Sequence, residues 1–223
     1  MSGVREQPII ITPDMLAAAV DTRRDFERGM RTAPPLILFL IAANVAMFGW
    51  EVATGALTNR DSIVAAGALV RDRVIAGEWW RLISATFLHA GFDHLIGNCL
   101  VLYVVGMACE HAFGFARTAI VYVTSGLTGS LLSAAVTPGP SLGASGAIFG
   151  VVGAVIVVLY AHQKRFYLRD KRIGFVLAAW SVYQIGTGLL SPYIDNYGHV
   201  GGLVGGAGIA LLLQPRLLSG QGA

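Results

Sequence analysis

The stretch SLGASGAIFG, residues 141–150, places a serine among small residues at the start of a long apolar run. A membrane span that needs only to be apolar carries leucine and valine at such positions. Small residues recur around Ser145 at spacings of three and four, which lets helix backbones approach closely inside a membrane. These residues are Gly143, Gly146, Gly150 and Gly153. The stretch therefore predicts a membrane helix that packs tightly against another helix near Ser145.

The composition of the whole chain is that of an integral membrane protein. Of its 223 residues, 55% are hydrophobic and 13% are charged, whereas about a quarter of the residues are charged in a typical soluble domain. Six apolar stretches are candidate membrane spans. They cover residues 35–53, 94–113, 118–137, 143–162, 173–190 and 199–214. The predicted fold class is therefore all-α, a multi-pass membrane protein with six transmembrane helices.

The distribution of lysine and arginine predicts the orientation of these helices, because cytoplasmic loops carry an excess of positive charge. Twelve of the 16 lie in residues 1–34, the 114–117 turn, the 163–172 loop and the C-terminal tail, and four lie in residues 54–93. Both termini are therefore expected in the cytoplasm. The net charge of +3 needs no nucleic-acid partner, since this asymmetry accounts for it.

Three regions are expected: a cytoplasmic N-terminal segment 1–34, a membrane domain 35–214 and a cytoplasmic tail 215–223. The sequence Thr12-Pro13-Asp14 predicts the start of a short amphipathic helix in the first region. No apolar run precedes Pro35, so no cleavable signal peptide is expected. The acidic residues of the first region also argue against a transit peptide. The plasma membrane of a prokaryote is the expected location.

The connection 54–93 is too long for a plain linker in a compact domain. Its segment GEWWRLISATFLHAGFDH is rich in aromatic and apolar residues and predicts a long structured first loop. The paired tryptophans suit anchors in the membrane interface, and Arg81 is expected to brace the loop. His89 is expected to be a loop residue, because its spacing from His94 puts the two side chains off a common helical face.

Polar residues from three predicted spans fall near the outer ends of those spans. Ser145 begins the fourth span, His199 begins the sixth and His94 begins the second. Asn98 lies about one helical turn after His94, on the same face. Polar residues inside a membrane are costly, and they point to function by default.

The glycine pattern predicts that two of these polar residues meet. The sixth span contains two overlapping small-xxx-small pairs. They are formed by Gly201, Gly202, Gly205 and Gly206. If this face meets the glycine face of the fourth span, Ser145 and His199 come within hydrogen-bond reach, as a serine nucleophile and its histidine base require. His94 and Asn98 are suitable donors for an oxyanion. The alternative is that the glycines only hold the helices together.

Five sequence elements, in this order, resemble the rhomboid family of intramembrane serine proteases. They are GEWWRLISATFLH in the first loop, HLIGN with His94 and Asn98, GMACEHAFG with Glu110, GASG with Ser145, and HVGG with His199. The resemblance covers roughly residues 67–210. Each element alone is a weak signal, and their order on successive spans makes the set specific.

The resemblance implies a six-helix rhomboid fold and a Ser–His dyad without an acidic third member. By this match Ser145 is the nucleophile, His199 is the general base, and His94 and Asn98 help to form the oxyanion hole. Phe149, one turn after Ser145, takes the place of an aromatic residue that stacks on the base. The implied activity is that of a serine endopeptidase that cleaves transmembrane proteins at or near the outer membrane face. The enzyme is expected to lie in the lipid bilayer and to need no cofactor and no metal. No nucleic-acid partner is expected, and the oligomeric state stays open.

Two other functions remain open at this point. The first is a catalytically inactive relative that binds membrane proteins. The second is a transporter or channel, which would show an inverted repeat with broken helices near the midplane, and the sequence has no visible repeat of this kind. Zinc and aspartyl intramembrane proteases are disfavoured, because the chain has no H-E-x-x-H motif and no aspartate inside a predicted span.

Single residues outside this set also receive predictions. Asp195, four residues before His199, is a candidate triad acid, although a loop-capping role is preferred. Glu110 is expected to make buried hydrogen bonds. The 191–198 loop, together with the fifth span, is expected to act as a gate for the substrate.

Overall fold

The described part of the chain is helical throughout. A computed structural model of the protein describes residues 23–191 and 193–218. Within these ranges the chain forms helices joined by turns and has no β-strand. The helix predicted to begin at Thr12 lies outside the described residues, as do most of the N-terminal segment and the end of the C-terminal tail.

Each of the six apolar stretches overlaps one long helix. In the described residues the helices are α1 Pro35–Thr54, α2 Arg60–Ala66, α3 Arg71–Ile75, α4 Arg81–Ser84, α5 Phe92–Phe113, α6 Phe115–Val136, α7 Ser145–Ala161, α8 Leu168–Gly188 and α9 Asn196–Leu212. Four of them qualify as membrane spans by length and apolarity: α1, α5, α6 and α9, the last within the segment Asn196–Leu218. The all-α membrane prediction is therefore confirmed, whereas the count of six spans stays a prediction.

The helix α7 lies at the centre of the molecule. Eleven of its 17 residues are buried, and it contacts α5, α6, α8 and α9. Inside a membrane, a helix rich in small residues allows neighbouring helices to approach it closely. The central position of α7 therefore follows from its sequence, in which Val, Ala, Ile and Gly occupy nearly every position after Ser145.

The first loop is ordered by a buried arginine. The guanidinium of Arg81 donates to the carbonyl oxygens of Val64 and Ala68 at 2.6 and 2.8 Å, and it pairs with Glu78 at 2.6 Å. Through these bonds one side chain joins α2, the start of α4 and the segment between them. Buried charges are stable when they are paired and hydrogen-bonded in this way. Arg81 therefore braces the first loop, as expected.

The buried carboxylate of Glu110 holds the beginning of α1. It accepts the backbone N–H groups of Leu36 and Ile37 at 3.3 and 3.2 Å. The first N–H groups of a helix have no partner within the helix, and a negative charge there also interacts favourably with the helix dipole. The predicted buried hydrogen-bonding role of Glu110 is confirmed.

The segment that precedes α1 is tied to the beginning of α8. The ring of Phe26 is 1% exposed and makes edge contacts with the rings of His111 and Phe166, each with centroids 5.7 Å apart. The backbone N–H of Phe26 donates to the carboxylate of Asp170 at 3.2 Å. Beside it, a hydrogen bond from Arg169 lowers the pKa of Asp25. The N-terminal segment therefore holds the first turn of α8 in place.

Replacing Phe26 with alanine tests this anchor. Removing a fully buried phenylalanine ring costs about 3 to 5 kcal/mol, so we expect a clear fall in the melting temperature of the detergent-solubilised protein. The matched control is Phe175→Ala on α8, because that ring is 66% exposed and its loss should change the melting temperature little. Equal shifts in the two variants would show that Phe26 does not anchor the segment.

Candidate active site

Ser145 and His199 meet at the beginnings of two helices. Ser145 is the first residue of α7, and His199 lies in the first turn of α9. The Nε2 atom of His199 is 2.8 Å from the Oγ atom of Ser145. A neutral imidazole with its proton on Nδ1 accepts the serine hydroxyl hydrogen at Nε2. This is the arrangement in which a histidine can remove a proton from a serine.

The close approach of α7 and α9 brings these two side chains together. A Cβ atom added to Gly202 would overlap the carbonyl oxygen of Gly146, and one added to Gly206 would overlap that of Gly150. These neighbours are backbone atoms, so they have no rotamer with which to make room. The predicted contact between the two glycine faces is confirmed.

The helix α6 also takes part in this contact, which the sequence reasoning missed. A Cβ atom on Gly150 would overlap the side chain of Ser125, and one on Gly205 would overlap the side chain of Thr128. Gly129 lies against the backbone of α9 in the same way. The available signal was the run of small residues TSGLTGS at 124–130, which has the spacing of a helix-packing face.

Two aromatic rings lie in a stack with the imidazole of His199. Phe149 is nearly parallel to it, with ring centroids 4.3 Å apart and an interplanar angle of 11°. Trp180 of α8 stacks on Phe149 at 5.4 Å. The sequence predicted the position of Phe149 and missed Trp180, since nothing in the local pattern of α8 relates that residue to His199.

Asp195 caps α9, and its carboxylate makes no hydrogen bond with the imidazole of His199. Its carboxylate accepts the backbone N–H of Gly198 at 3.0 Å and the hydroxyl groups of Thr137 and Ser141. No hydrogen bond within the described ranges reaches the Nδ1 atom of His199. The capping interpretation is confirmed, and the triad-acid alternative has no contact to support it. Asp195 instead connects α9 to the loop that precedes Ser145.

His94 and Asn98 face the residue that lies two positions before Ser145. Gly143 has φ +124°, a conformation that favours glycine, and a Cβ atom there would lie 2.8 Å from the Nε2 atom of His94. The same point is 3.7 Å from the Nδ2 atom of Asn98. That amide nitrogen is buried and has no hydrogen-bond partner among the described residues. An unpaired buried donor is a feature that calls for an explanation.

His89 lies against His94, which the helical spacing did not predict. Their ring centroids are 5.3 Å apart at 62°. His89 belongs to the loop before α5, as expected, and helical periodicity does not apply there. Burial, and then the neighbouring His94, lowers the pKa of His89 to about 4. His89 is therefore neutral at pH 7.

Within the described ranges, no group of three or more His, Cys, Asp or Glu side chains could hold a metal ion. The two cysteines, Cys99 and Cys109, are not bridged.

Comparison with known proteins identifies similar chains. Residues 76–216 match the family model of the Rhomboid domain. The chain is 39% identical over 173 residues to rhomboid protease GluP of Bacillus subtilis. The aligned region covers 78% of this chain and 34% of GluP. The chain is 30% identical over 212 residues to rhomboid protease AarA of Providencia stuartii, with 82% and 74% covered. It is 41% identical over 155 residues to RHOMBOID-like protein 5 of Arabidopsis thaliana, with 67% and 50% covered. The chain thus spans a third of the GluP protein and half of the plant protein.

A single methyl group at the helix contact tests how the site is assembled. Gly202→Ala should force α9 away from α7 and lower the melting temperature, because the methyl group overlaps a carbonyl oxygen of α7. A displacement of about 1 Å is enough to lose about 100-fold in reactivity, so labelling of Ser145 by a fluorophosphonate should be abolished.

Gly208→Ala is the matched control on the same helix, because a Cβ atom there meets nothing within 4 Å. It should leave both the melting temperature and the labelling unchanged. If Gly202→Ala behaves like Gly208→Ala, the glycine contact does not set the distance between Ser145 and His199.

Proposed function

This chain belongs to the rhomboid family, and we propose that it is an intramembrane serine endopeptidase that acts through a Ser145–His199 dyad. The observation that carries the proposal is the hydrogen bond of 2.8 Å between the Oγ atom of Ser145 and the Nε2 atom of His199. Two relatives, GluP and AarA, bear the name rhomboid protease. The alternative, an inactive relative that binds membrane proteins, has no observation in its favour, because both members of the dyad are present and in contact.

The proposed reaction proceeds by acyl transfer. The Oγ atom of Ser145 attacks the scissile carbonyl carbon while Nε2 of His199 accepts the hydroxyl proton. His199 then gives this proton to the leaving amine as the peptide C–N bond breaks. A water molecule then attacks the acyl carbon while Nε2 of His199 accepts one of its protons. His199 returns this proton to the Oγ atom of Ser145 as the ester bond breaks and the acyl group leaves as a carboxylic acid. No acidic third residue takes part, and the ring of Phe149 holds the imidazole in place.

The oxyanion formed in this reaction needs hydrogen-bond donors. The side chains of His94 and Asn98 are the proposed donors, since both face Gly143, two residues before the nucleophile. The backbone N–H of Ser145 is a third candidate, because it lies at the beginning of α7, where the helix dipole favours negative charge.

We propose six membrane spans with both termini in the cytoplasm of a prokaryotic cell, and cleavage of transmembrane proteins near the outer face. The length of α7 supports a position of Ser145 near the outer face. Its 17 residues extend over about 26 Å, which is less than the roughly 30 Å of hydrocarbon in a bilayer. If the cytoplasmic end of α7 lies at the inner boundary, the hydroxyl of Ser145 lies a few ångströms below the outer one. A substrate bond cut there lies close to the membrane surface.

We also propose that α8 and the predicted segment 191–198, whose last three residues belong to the first turn of α9, form the gate through which the substrate enters. The outer half of α8 carries the large exposed side chains of Val182 and Tyr183, and the exposed Leu189 follows directly after the helix. The stack of Trp180 on Phe149 connects this helix to the imidazole. Movement of α8 would therefore open a path by which a substrate reaches the dyad.

Labelling with a fluorophosphonate tests the proposed nucleophile without a known substrate. We expect covalent labelling of the detergent-solubilised wild type and at least a 100-fold loss in both Ser145→Ala and His199→Ala. Ser191→Ala is the control for another serine near the same membrane face, and it should label normally. Labelling that survives Ser145→Ala would rule out this nucleophile. A folded wild type that does not label would favour the inactive binder.

A disulfide clamp tests the proposed gate. Cysteine pairs joining the outer halves of α5 and α8 are introduced in a chain whose Cys99 and Cys109 are replaced by alanine. Oxidation should slow cleavage of a transmembrane substrate at least tenfold, and reduction should restore it. A clamp between α5 and α6 is the control and should have little effect. Undiminished cleavage with the α5–α8 clamp closed would exclude a gate on α8.

A further inference from the structure

A second buried carboxylate lies at the end of α1, where a negative charge is unfavourable. Glu51 is 0% exposed and belongs to the last turn of a helix that ends at Thr54. The helix dipole disfavours anions at this end, and burial of a carboxylate is costly. Ionisable residues in such positions within a membrane protein are functional candidates by default.

The partner of Glu51 is the loop that leads into α5. Among the described residues, its two carboxylate oxygens accept the backbone N–H of His89 at 3.1 and 3.2 Å. The ring of His89 donates from Nδ1 to the carbonyl oxygen of Phe87 at 3.1 Å, because a carbonyl can only accept. Both bonds hold the backbone of the same short loop.

The next amide of this loop sets the proton position of His94. The backbone N–H of Ala90 donates to the Nδ1 atom of His94 at 3.3 Å. A nitrogen that accepts a hydrogen bond carries no proton, so the neutral imidazole of His94 has its proton on Nε2. This Nε2 atom is the one that faces Gly143, two residues before Ser145.

We propose that Glu51 is a positioning residue that keeps His94 in the tautomer able to donate from Nε2 to the oxyanion. Glu51 orients the peptide N–H of His89, the following N–H of Ala90 is oriented with it, and this N–H holds Nδ1 of His94 as an acceptor. The part of the proposal that concerns the oxyanion rests on the proposed protease function. The tautomer itself does not depend on that function.

This role explains a residue that violates two local preferences. An apolar side chain at position 51 would suit the buried end of a membrane helix better than a carboxylate does. Local rules are broken mainly at functional sites, where another requirement outweighs them. The requirement here is an acceptor for an N–H group of the loop that adjoins His94.

Nitrogen-15 NMR of the histidine rings tests the proposal directly. The protein is labelled at both ring nitrogens, and the signals of His94 are assigned by their loss in His94→Ala. The wild type should show an unprotonated Nδ1 and a protonated Nε2 at neutral pH. Glu51→Leu should shift these signals towards a mixture of tautomers. Glu51→Gln, whose amide oxygen can still accept the N–H of His89, should retain the wild-type signals.

The matched control is Glu110→Leu, a substitution on α5 beside the beginning of α1. Glu110 is also a buried carboxylate that accepts backbone N–H groups, but it holds Leu36 and Ile37 and not the loop before α5. Its loss should lower the melting temperature and leave the His94 tautomer unchanged. If Glu51→Leu does not fold, Glu51→Asp replaces it, because this variant keeps the charge and withdraws the carboxylate by one methylene. The Asp variant should also show mixed tautomers.

Cleavage kinetics provide the second readout. Removing an oxyanion donor costs about 100-fold or more in kcat, and a donor that is only misoriented part of the time costs less. We therefore expect kcat to fall about tenfold in Glu51→Leu with KM unchanged, and to recover in Glu51→Gln.

An unchanged tautomer in both Glu51→Leu and Glu51→Asp would overturn the proposal, as would an equal change in Glu110→Leu. These NMR results do not require an active enzyme. Failure of fluorophosphonate labelling would instead contradict the protease function, so the two failures are distinguishable.

Discussion

The contact between the backbones of α7 and α9 is the constraint on which the site depends. Where Gly202 meets Gly146 there is no room for a Cβ atom on α9. The same holds one turn later, at Gly206 and Gly150. Helices that approach so closely have their relative height and rotation fixed by backbone atoms, which do not change rotamer. Ser145 and His199 stand at the beginnings of these two helices, so the distance between them follows from the contact. Van der Waals packing of this kind contributes to the attraction between helices where lipid replaces water.

Carboxylates that are buried or half-buried organise the parts of the molecule that helix packing does not reach. Glu110 holds the beginning of α1, and Asp195 holds the beginning of α9 and joins it to the loop before the serine. Asp170 binds the backbone N–H of Phe26 in the segment before α1. In each case the acceptor satisfies N–H groups that would otherwise be buried without a partner, and such groups cost several kcal/mol in an apolar medium. The charged residues of this chain are few, and several of them act as backbone acceptors.

Much of the fold could be predicted from the sequence, because apolar length and small-residue spacing are local properties. The six stretches overlap the six long helices, and the face shared by His94 and Asn98 follows from helical periodicity. The contacts that were missed are those between residues distant in sequence. Trp180 reaches Phe149 only because α8 packs beside α7, and His89 reaches His94 through a loop with no periodic pattern. The acceptor role of Glu51 was invisible for the same reason, since its partner lies 38 residues further along the chain.

The anchoring of α8 at its first turn makes that helix a lever with a fixed pivot. Phe26, through its bond to Asp170, holds the pivot, and the remaining length of the helix is the arm. Its 21 residues give an arm of about 30 Å. A tilt of about 10° about the pivot would then carry the far end roughly 5 Å sideways, about the width of an extended peptide backbone. The same tilt would move residues near the pivot by less than the length of a bond. The motion would thus be amplified at the end next to the dyad and suppressed at the end that Phe26 anchors.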